Sequence, residues 1–256
     1  IAEEDSSHFY TLVKPEQQQL IAELLGELLG ERVSTEDIAH WLDYGQNRVR
    51  DRMWTVDPID GTRGYVSGRR YSIAVGLLID YQPVAGLLGC VEYPDESRQG
   101  VLFYAQNGIA FAQPMTPTST PRQIHVSETD DPALLRTLLA TDAIDIDLLR
   151  VRSILEAAHI VSDSIEPVDG QDKYAMVAAG DAEFFVRPVR PGSPQHYIWD
   201  HVPGVAIVQA AGGIVSDLDG EPLGFSHGRV LAKYGVIVSN PRTYPRVLEA
   251  VKRVRA

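Results

Sequence analysis

The residues most able to do chemistry lie in one run, Trp54-Thr55-Val56-Asp57-Pro58-Ile59-Asp60-Gly61-Thr62, where two carboxylates stand three residues apart at the exit of an apolar strand. Pro58 restricts the backbone between them and removes one donor. Gly61 permits a tight turn, leaving the N–H groups of Gly61 and Thr62 free where a helix can start. Hard cations such as Mg²⁺ take carboxylate and carbonyl oxygens and commonly share substrate phosphates. A helix start offers its N–H groups to a phosphate. Both features within six residues point to metal-assisted phosphoryl chemistry. The plainer alternative is an exposed turn in which Asp and Gly merely suit the backbone.

Two further acidic spots can complete such a site. Glu3-Glu4-Asp5 follows the short strand end Ile1-Ala2, and Asp200 lies in Ile198-Trp199-Asp200-His201 just ahead of an apolar helix. Taken singly, Glu3 is an ordinary surface acid and Asp200 a helix cap. Together they read differently. Two like charges 4 Å apart repel by about 4 kcal/mol at an effective dielectric near 20. Four clustered carboxylates therefore require cations or bound protons.

The elements that must position these groups follow from periodicity. Leu20, Ile21, Leu24, Leu25 and Leu28 predict a helix over 15–29 opened by Pro15, and Ser34 caps a short helix through Trp41 and Leu42. Asn47 to Arg52 reads as a basic link. Strands are predicted at Trp54–Asp57, Tyr71–Ile79, Val84–Val91, Val101–Ala105, Ile109–Ala112 and Gln123–Val126. Helices are predicted over 132–141, 147–158, 172–179, 200–211 and 241–255, with strands at 183–186, 214–217 and 236–239. The Pro/Thr-rich stretch 113–121 is the natural seam, giving a mixed α+β half over 1–121 and an alternating α/β half over 122–256.

Composition sets the outer bounds. With 256 residues, 44% apolar and 23% charged, the chain has enough apolar material for a core and too much for disorder. No apolar run approaches the roughly 18 residues of a membrane span. Cys90 is the only cysteine, so there is no internal disulfide and no thiolate metal cage, and a reducing, cytoplasmic setting is the default expectation. Lys and Arg number 23 against 35 Asp and Glu, a net charge of −12 that argues against a nucleic-acid polymer or acidic lipid as partner. The chain opens at Ile1 without Met and with no signal-peptide pattern, as a fragment or a numbering that omits an upstream segment would.

The segments AEED at 2–5, WTVDPIDGTRGYVSG at 54–68 and IWDHVPGVAIVQAAGG at 198–213 resemble the Mg²⁺-dependent, lithium-sensitive phosphatase superfamily of inositol monophosphatase and fructose-1,6-bisphosphatase. GTRGYVSG, GQDKY at 170–174, EFFVRP at 183–188, the His after WD, and GRVLAKYGVIVSN at 228–240 resemble its 3′(2′),5′-bisphosphate nucleotidases. The resemblance spans the chain and implies a layered αβαβα sandwich of the sugar-phosphatase type. It implies two or three Mg²⁺ ions held by Glu3, Asp57, the Ile59 carbonyl, Asp60 and Asp200, with Asp57 bridging. Thr62 would orient and deprotonate the attacking water together with an upstream Asp that precedes Ile1 in the family. Gly61 and Thr62 would hold phosphate, while Lys173 and Arg187, whose plainer role is surface ion pairing, would bind the nucleotide alongside Asp200. The implied reaction converts adenosine 3′,5′-bisphosphate to AMP and phosphate, with a link to sulfur assimilation.

The sequence also departs from that pattern. Gly170 stands where the family has Ser, Asp172 replaces a small residue, and 142–148 reads DAIDIDL in place of the adenosine-side segment. Two alternatives stay open: an inositol-phosphate or sugar-bisphosphate phosphatase on the same fold, and a catalytically silent metal- or nucleotide-binding protein. The Asp-x-x-Asp spacing with Pro between disfavours an aspartyl-phosphate mechanism of the Asp-x-Asp type. Asp217-Leu218-Asp219-Gly220 reads as a hairpin turn rather than a Ca²⁺ loop. His159 reads as a core or edge residue, His201 as structural, Cys90 as a buried hydrophobe, and Trp199 as packing beneath the acidic site.

Overall fold

The computed structural model describes residues 1–45, 50–94, 99–141, 145–161, 165–188, 196–231 and 235–255. Alternating apolar strands joined by short turns build a six-stranded antiparallel sheet in chain order: β1 (Arg52–Asp60), β2 (Ser72–Ile79), β3 (Gln82–Cys90), β4 (Val101–Gln106), β5 (Ile109–Pro114) and β6 (Arg122–Gln123). The N-terminal residues lie beside β1. Val56 N–H donates to the Ile1 carbonyl at 3.0 Å, and Glu3 N–H donates to the Val56 carbonyl at 3.1 Å. Those two bonds fix Glu3 one residue from Asp57.

The second sheet is mixed, with order β10-β11-β9-β7-β8. Its strands are β7 (Thr137–Ala140), β8 (Ile165–Val168), β9 (Phe184–Arg187), β10 (Ile214–Ser216) and β11 (Val236–Ser239). Strand β7 runs parallel to β8 and β9, and β11 is antiparallel to β9 and β10. Helices α6 (Asp172–Ala179) and α7 (Val202–Ala210) lie in the main core, which joins Leu78, Leu88 and Phe103 of the first sheet to Leu138, Phe185 and Val238 of the second. Every residue of α7 from Val202 to Val208 is buried, as its all-round apolar sequence requires. Helices α5 (Asp145–Ala157) and α8 (Tyr244–Arg255) cover the other face of the second sheet, where Leu155, Val247 and Val251 pack on Phe184, Val186 and Ile237. A short helix, α4 (Thr62–Val66), follows β1, and α1 (Ser6–Leu12), α2 (Pro15–Leu29) and α3 (Thr35–Asp43) gather around a separate cluster of Phe9, Ala22, Val33 and Ile38. The result is an α+β fold of stacked sheet and helix layers. Among the described residues no helix is long and apolar enough to cross a membrane.

The structure corrects several expectations. Residues 132–141 do not form a helix: 137–140 are the central strand β7. A short apolar run such as Thr137-Leu138-Leu139-Ala140 has the same composition in a buried helix and in a strand covered on both faces, and pairing with two neighbours decides it. Strand β8 has no signal in the alternation because Glu166 and Pro167 interrupt it. Helix α7 begins at Val202, leaving Asp200 in a preceding 3₁₀ turn, Ile198–Asp200. Gln113 and Pro114 close β5 rather than opening a linker. Helix α2 keeps its expected bounds, but Leu20, Leu24 and Leu28 are exposed while Gln18 and Ala22 are buried. His159 is likewise exposed, in a left-handed turn after α5 with φ 55°.

Candidate metal centre

The register of β1 against β2 shifts between Asp57, which faces Ala74, and Asp60, which faces Ser72. Three steps on one strand against two on its neighbour make a bulge, and Pro58 is accommodated there because it has no N–H to lose from the ladder. The bulge turns both carboxylates toward the same space. Asp57 Oδ1 accepts the Ile59 N–H at 3.1 Å, and Thr62 Oγ1 donates to the Ile59 carbonyl at 3.1 Å, so the loop is held by its own polar groups. Gly61 closes it at φ 87°, a left-handed value that precedes α4.

Asp200 comes from 140 residues further along and is delivered by the 3₁₀ turn. The Ile198 N–H donates to the Arg229 carbonyl at 2.9 Å, and Trp199 is buried below with the Arg229 guanidinium 4.7 Å from its ring centre. Asp57, Asp60 and Asp200 thereby each place a carboxylate oxygen within 4.8 Å of the others. Glu3 joins from the side, near enough for its charge to act on Asp57.

Such a cluster holds protons tightly. Burial, reinforced by the charges of Asp60 and Glu3, pushes Asp57 up to about 9. Burial and the neighbouring Asp60 charge push Asp200 up to about 7. Glu3 and Asp60 are raised as well, again chiefly by burial. The Oδ2 oxygen of Asp60 is buried with no hydrogen-bond partner. A buried, orphaned carboxylate oxygen among other carboxylates fits a cation, and an all-oxygen donor set fits a hard one such as Mg²⁺.

The remaining candidate residues surround this cluster. Lys173 Nζ donates to the Val168 carbonyl at 3.1 Å and the Gly170 carbonyl at 2.6 Å, and its charge favours the ionised form of Asp60. Arg187 stands exposed at the end of β9, and its charge acts on both Asp60 and Asp200 in the same direction. Thr62 is exposed at the start of α4. Asp172 is fully buried with no hydrogen-bond partner for either carboxylate oxygen, and burial pushes it up to about 6, with Arg70 opposing the shift. Cys90 is buried with its thiol pushed well up. The segment 142–148 lies partly outside the described residues. Asp217 Oδ1 accepts the N–H groups of Asp219 at 2.8 Å and Glu221 at 2.9 Å, the pattern of a turn. His201 is buried, with Nδ1 2.6 Å from the Tyr174 hydroxyl.

Gln171 and Arg229 also shape the site, and neither was singled out by residue type. A glutamine and an arginine carry no spacing rule, and their partners are far away in sequence. The only available sign was their place inside GQDKY and GRVLAKYGVIVSN.

Comparison with known proteins places this geometry in context. The chain is 32% identical over 266 residues to a protein from Arabidopsis thaliana named probable 3′(2′),5′-bisphosphate nucleotidase 4, covering 98% of this chain and 76% of that protein. It is 33% identical to 3′,5′-bisphosphate nucleotidase 2 of the same plant, covering 86% of this chain and 66% of the relative, so it spans two thirds to three quarters of their lengths. Among solved structures, the inositol monophosphatase TM1415 of Thermotoga maritima superposes with a TM-score of 0.60 at 22% identity, over 86% of this chain and 80% of the other, a likeness of fold. Residues 2–256 match the sequence profile of the inositol monophosphatase family, and the chain belongs to that family.

Proposed function

We propose that this protein is a Mg²⁺-dependent phosphomonoesterase that removes the 3′-phosphate of adenosine 3′,5′-bisphosphate. The observation that carries the reading is the convergence of Asp57, Asp60 and Asp200 from two distant segments onto one small space. The names of its relatives support the substrate. Glu3, Asp57, the Ile59 carbonyl, Asp60 and Asp200 would hold two or three Mg²⁺ ions. Bound there, Mg²⁺ supplies charge for the phosphoryl oxygens and lowers the pKa of water.

The chain's own groups do the rest. Asp57 is held by the Ile59 N–H, so its second oxygen is presented at a fixed angle. Thr62 exchanges its bond to the Ile59 carbonyl for one to the attacking water and orients it in line with the scissile bond. The N–H groups of Gly61 and Thr62 donate to the phosphoryl oxygens and offset their negative charge. Lys173 and Arg187 face the acidic cluster with positive charge and bind the part of the substrate that does not react. Lithium inhibition and a role in sulfur assimilation belong to the same proposal and rest on the family resemblance, and a cytoplasmic setting rests on Cys90 being the one cysteine of the sequence.

The test is phosphate release with Mg²⁺ from adenosine 3′,5′-bisphosphate, inositol 1-phosphate and fructose 1,6-bisphosphate. The adenosine substrate is expected to give the highest kcat/KM. A ranking led by either of the others reassigns the substrate, and no release from any of them favours a silent binding protein.

A further inference from the structure

One uncharged residue links both acidic segments, through its turn and through its side chain. Gln171, only 2% exposed, stands immediately before α6. Its Nε2 donates to the Trp199 carbonyl at 3.0 Å, one residue before Asp200. Its Oε1 accepts the Gly204 N–H at 3.3 Å, in the first turn of α7. The turn that carries Gln171 lies against Asp60: a Cβ built on the preceding Gly170 would stand 2.8 Å from the Asp60 carbonyl oxygen and 3.3 Å from Asp60 Oδ2. A primary amide has two N–H donors and one carbonyl. Here one donor and the carbonyl are committed to the backbone on either side of Asp200.

We propose that Gln171 is a positioning residue that sets the separation of Asp60 from Asp200, and through it the geometry in which the acidic cluster holds a divalent cation. Asp60 lies on the bulge of the first sheet and Asp200 on the 3₁₀ turn that leads into α7. Repulsion drives the two carboxylates apart whenever both are ionised and no cation lies between them. A residue whose turn packs against Asp60 and whose amide holds the backbone on both sides of Asp200 opposes that drift. It does so without adding a charge of its own. Mg²⁺ demands near-ideal octahedral geometry, so a small change in spacing is felt at once in affinity. Losing a partner that orients a metal ligand typically costs ten- to hundredfold in affinity. Gln171→Met keeps the length and removes every hydrogen bond, whereas Gln171→Glu keeps an acceptor for Gly204 but removes the donors and adds a like charge.

This inference rests on the acidic cluster being a metal centre, and the experiment separates the two claims. Mn²⁺ binding is measured at equilibrium by electron paramagnetic resonance on the intact wild-type chain, Gln171→Met, Gln171→Glu and Val247→Ala. The last variant trims the distant α5–α8 core and serves as a control for general destabilisation. The wild type and Val247→Ala are expected to bind alike, Gln171→Met ten- to hundredfold more weakly, and Gln171→Glu at least as weakly as Gln171→Met. Wild-type binding with Gln171→Met within twofold of it overturns the positioning role alone. Equal weakening in Val247→Ala overturns it as well. A wild type that binds no Mn²⁺ overturns both the role and the metal centre.

Discussion

Gly61 and Gly170 lie backbone to backbone. A Cβ built on Gly61 stands 3.2 Å from the Gly170 nitrogen, and one built on Gly170 stands 2.8 Å from the Asp60 carbonyl oxygen. Both residues have left-handed backbones, φ 87° and 53°. The acidic loop after β1 and the turn before α6 therefore approach each other as closely as two main chains can, and Asp60 is seated by that contact.

The first prediction follows from this approach. Gly170→Ser restores the residue type found in the resembling nucleotidases, yet here it forces a side chain into a left-handed backbone and against Asp60. Stability is expected to fall by about 1–2 kcal/mol. Mn²⁺ affinity is expected to fall with it, since Asp60 has to move. Thermal melting and a Mn²⁺ titration check both; an unchanged Tm and affinity show that the turn has room.

Asp57→Asn removes both a ligand and a source of repulsion. Metal-dependent phosphate release is expected to drop by more than a hundredfold, beyond the loss typical for residues that only support a ligand. Near pH 7 the metal-free variant is expected to melt a few degrees higher than the metal-free wild type, because folding no longer forces a proton onto that buried carboxyl. Differential scanning calorimetry in chelator checks the second effect. Equal Tm values mean that the buried Asp57 carboxyl costs the metal-free fold nothing.

The pH dependence has a definite sign. Asp57 and Asp200 titrate near 3.8 when unfolded and near 9 and 7 when folded without metal, so the native state binds more protons between those values. Stability of the metal-free protein is therefore fully present below about pH 4 as far as these groups are concerned, and declines as pH rises to 7 and then 9. Mg²⁺ competes with those protons, so its affinity is expected to rise over the same interval. Melting curves from pH 5 to 9, with and without Mg²⁺, read both slopes; a metal-free Tm that climbs across that range contradicts the shifts.

Arg229 joins the N-terminal acidic segment to the one carrying Asp200. Its guanidinium covers Trp199, and its Nη2 donates to the Glu3 carbonyl at 3.4 Å. Arg229→Leu is expected to cost about 1 kcal/mol, near 2–4 °C in Tm, and to weaken metal binding. A variant with wild-type Tm and affinity shows that Glu3 is placed by β1 alone.

Arg187 gives the substrate test. Arg187→Met is expected to raise KM for adenosine 3′,5′-bisphosphate by about tenfold or more, the loss of one charge-assisted bond. KM for a nucleoside 3′-monophosphate is expected to change little. Parallel changes in both would place Arg187 at the reacting phosphate.

Much of this protein is readable from residue order, because the information is local. Asp57, Pro58, Asp60 and Gly61 state their own chemistry: a proline that needs no donor, a glycine that accepts a left-handed backbone, and two acids between them. Helices α2, α3 and α6 and strands β10 and β11 follow from period and capping. What needed the folded chain was pairing over distance. Residues 137–140 became a strand because β8 and β9 lie on either side, a fact absent from four apolar residues. Burial of Gln18 and Ala22 in place of the α2 leucines depends on which face α1 and α3 occupy. The acidic residues were visible as types, and their meeting was implied by the family resemblance alone: repulsion keeps isolated carboxylates apart, and the bulge in β1, the close approach of Gly61 and Gly170 and the 3₁₀ turn at Asp200 hold Asp57, Asp60 and Asp200 within one ion's reach.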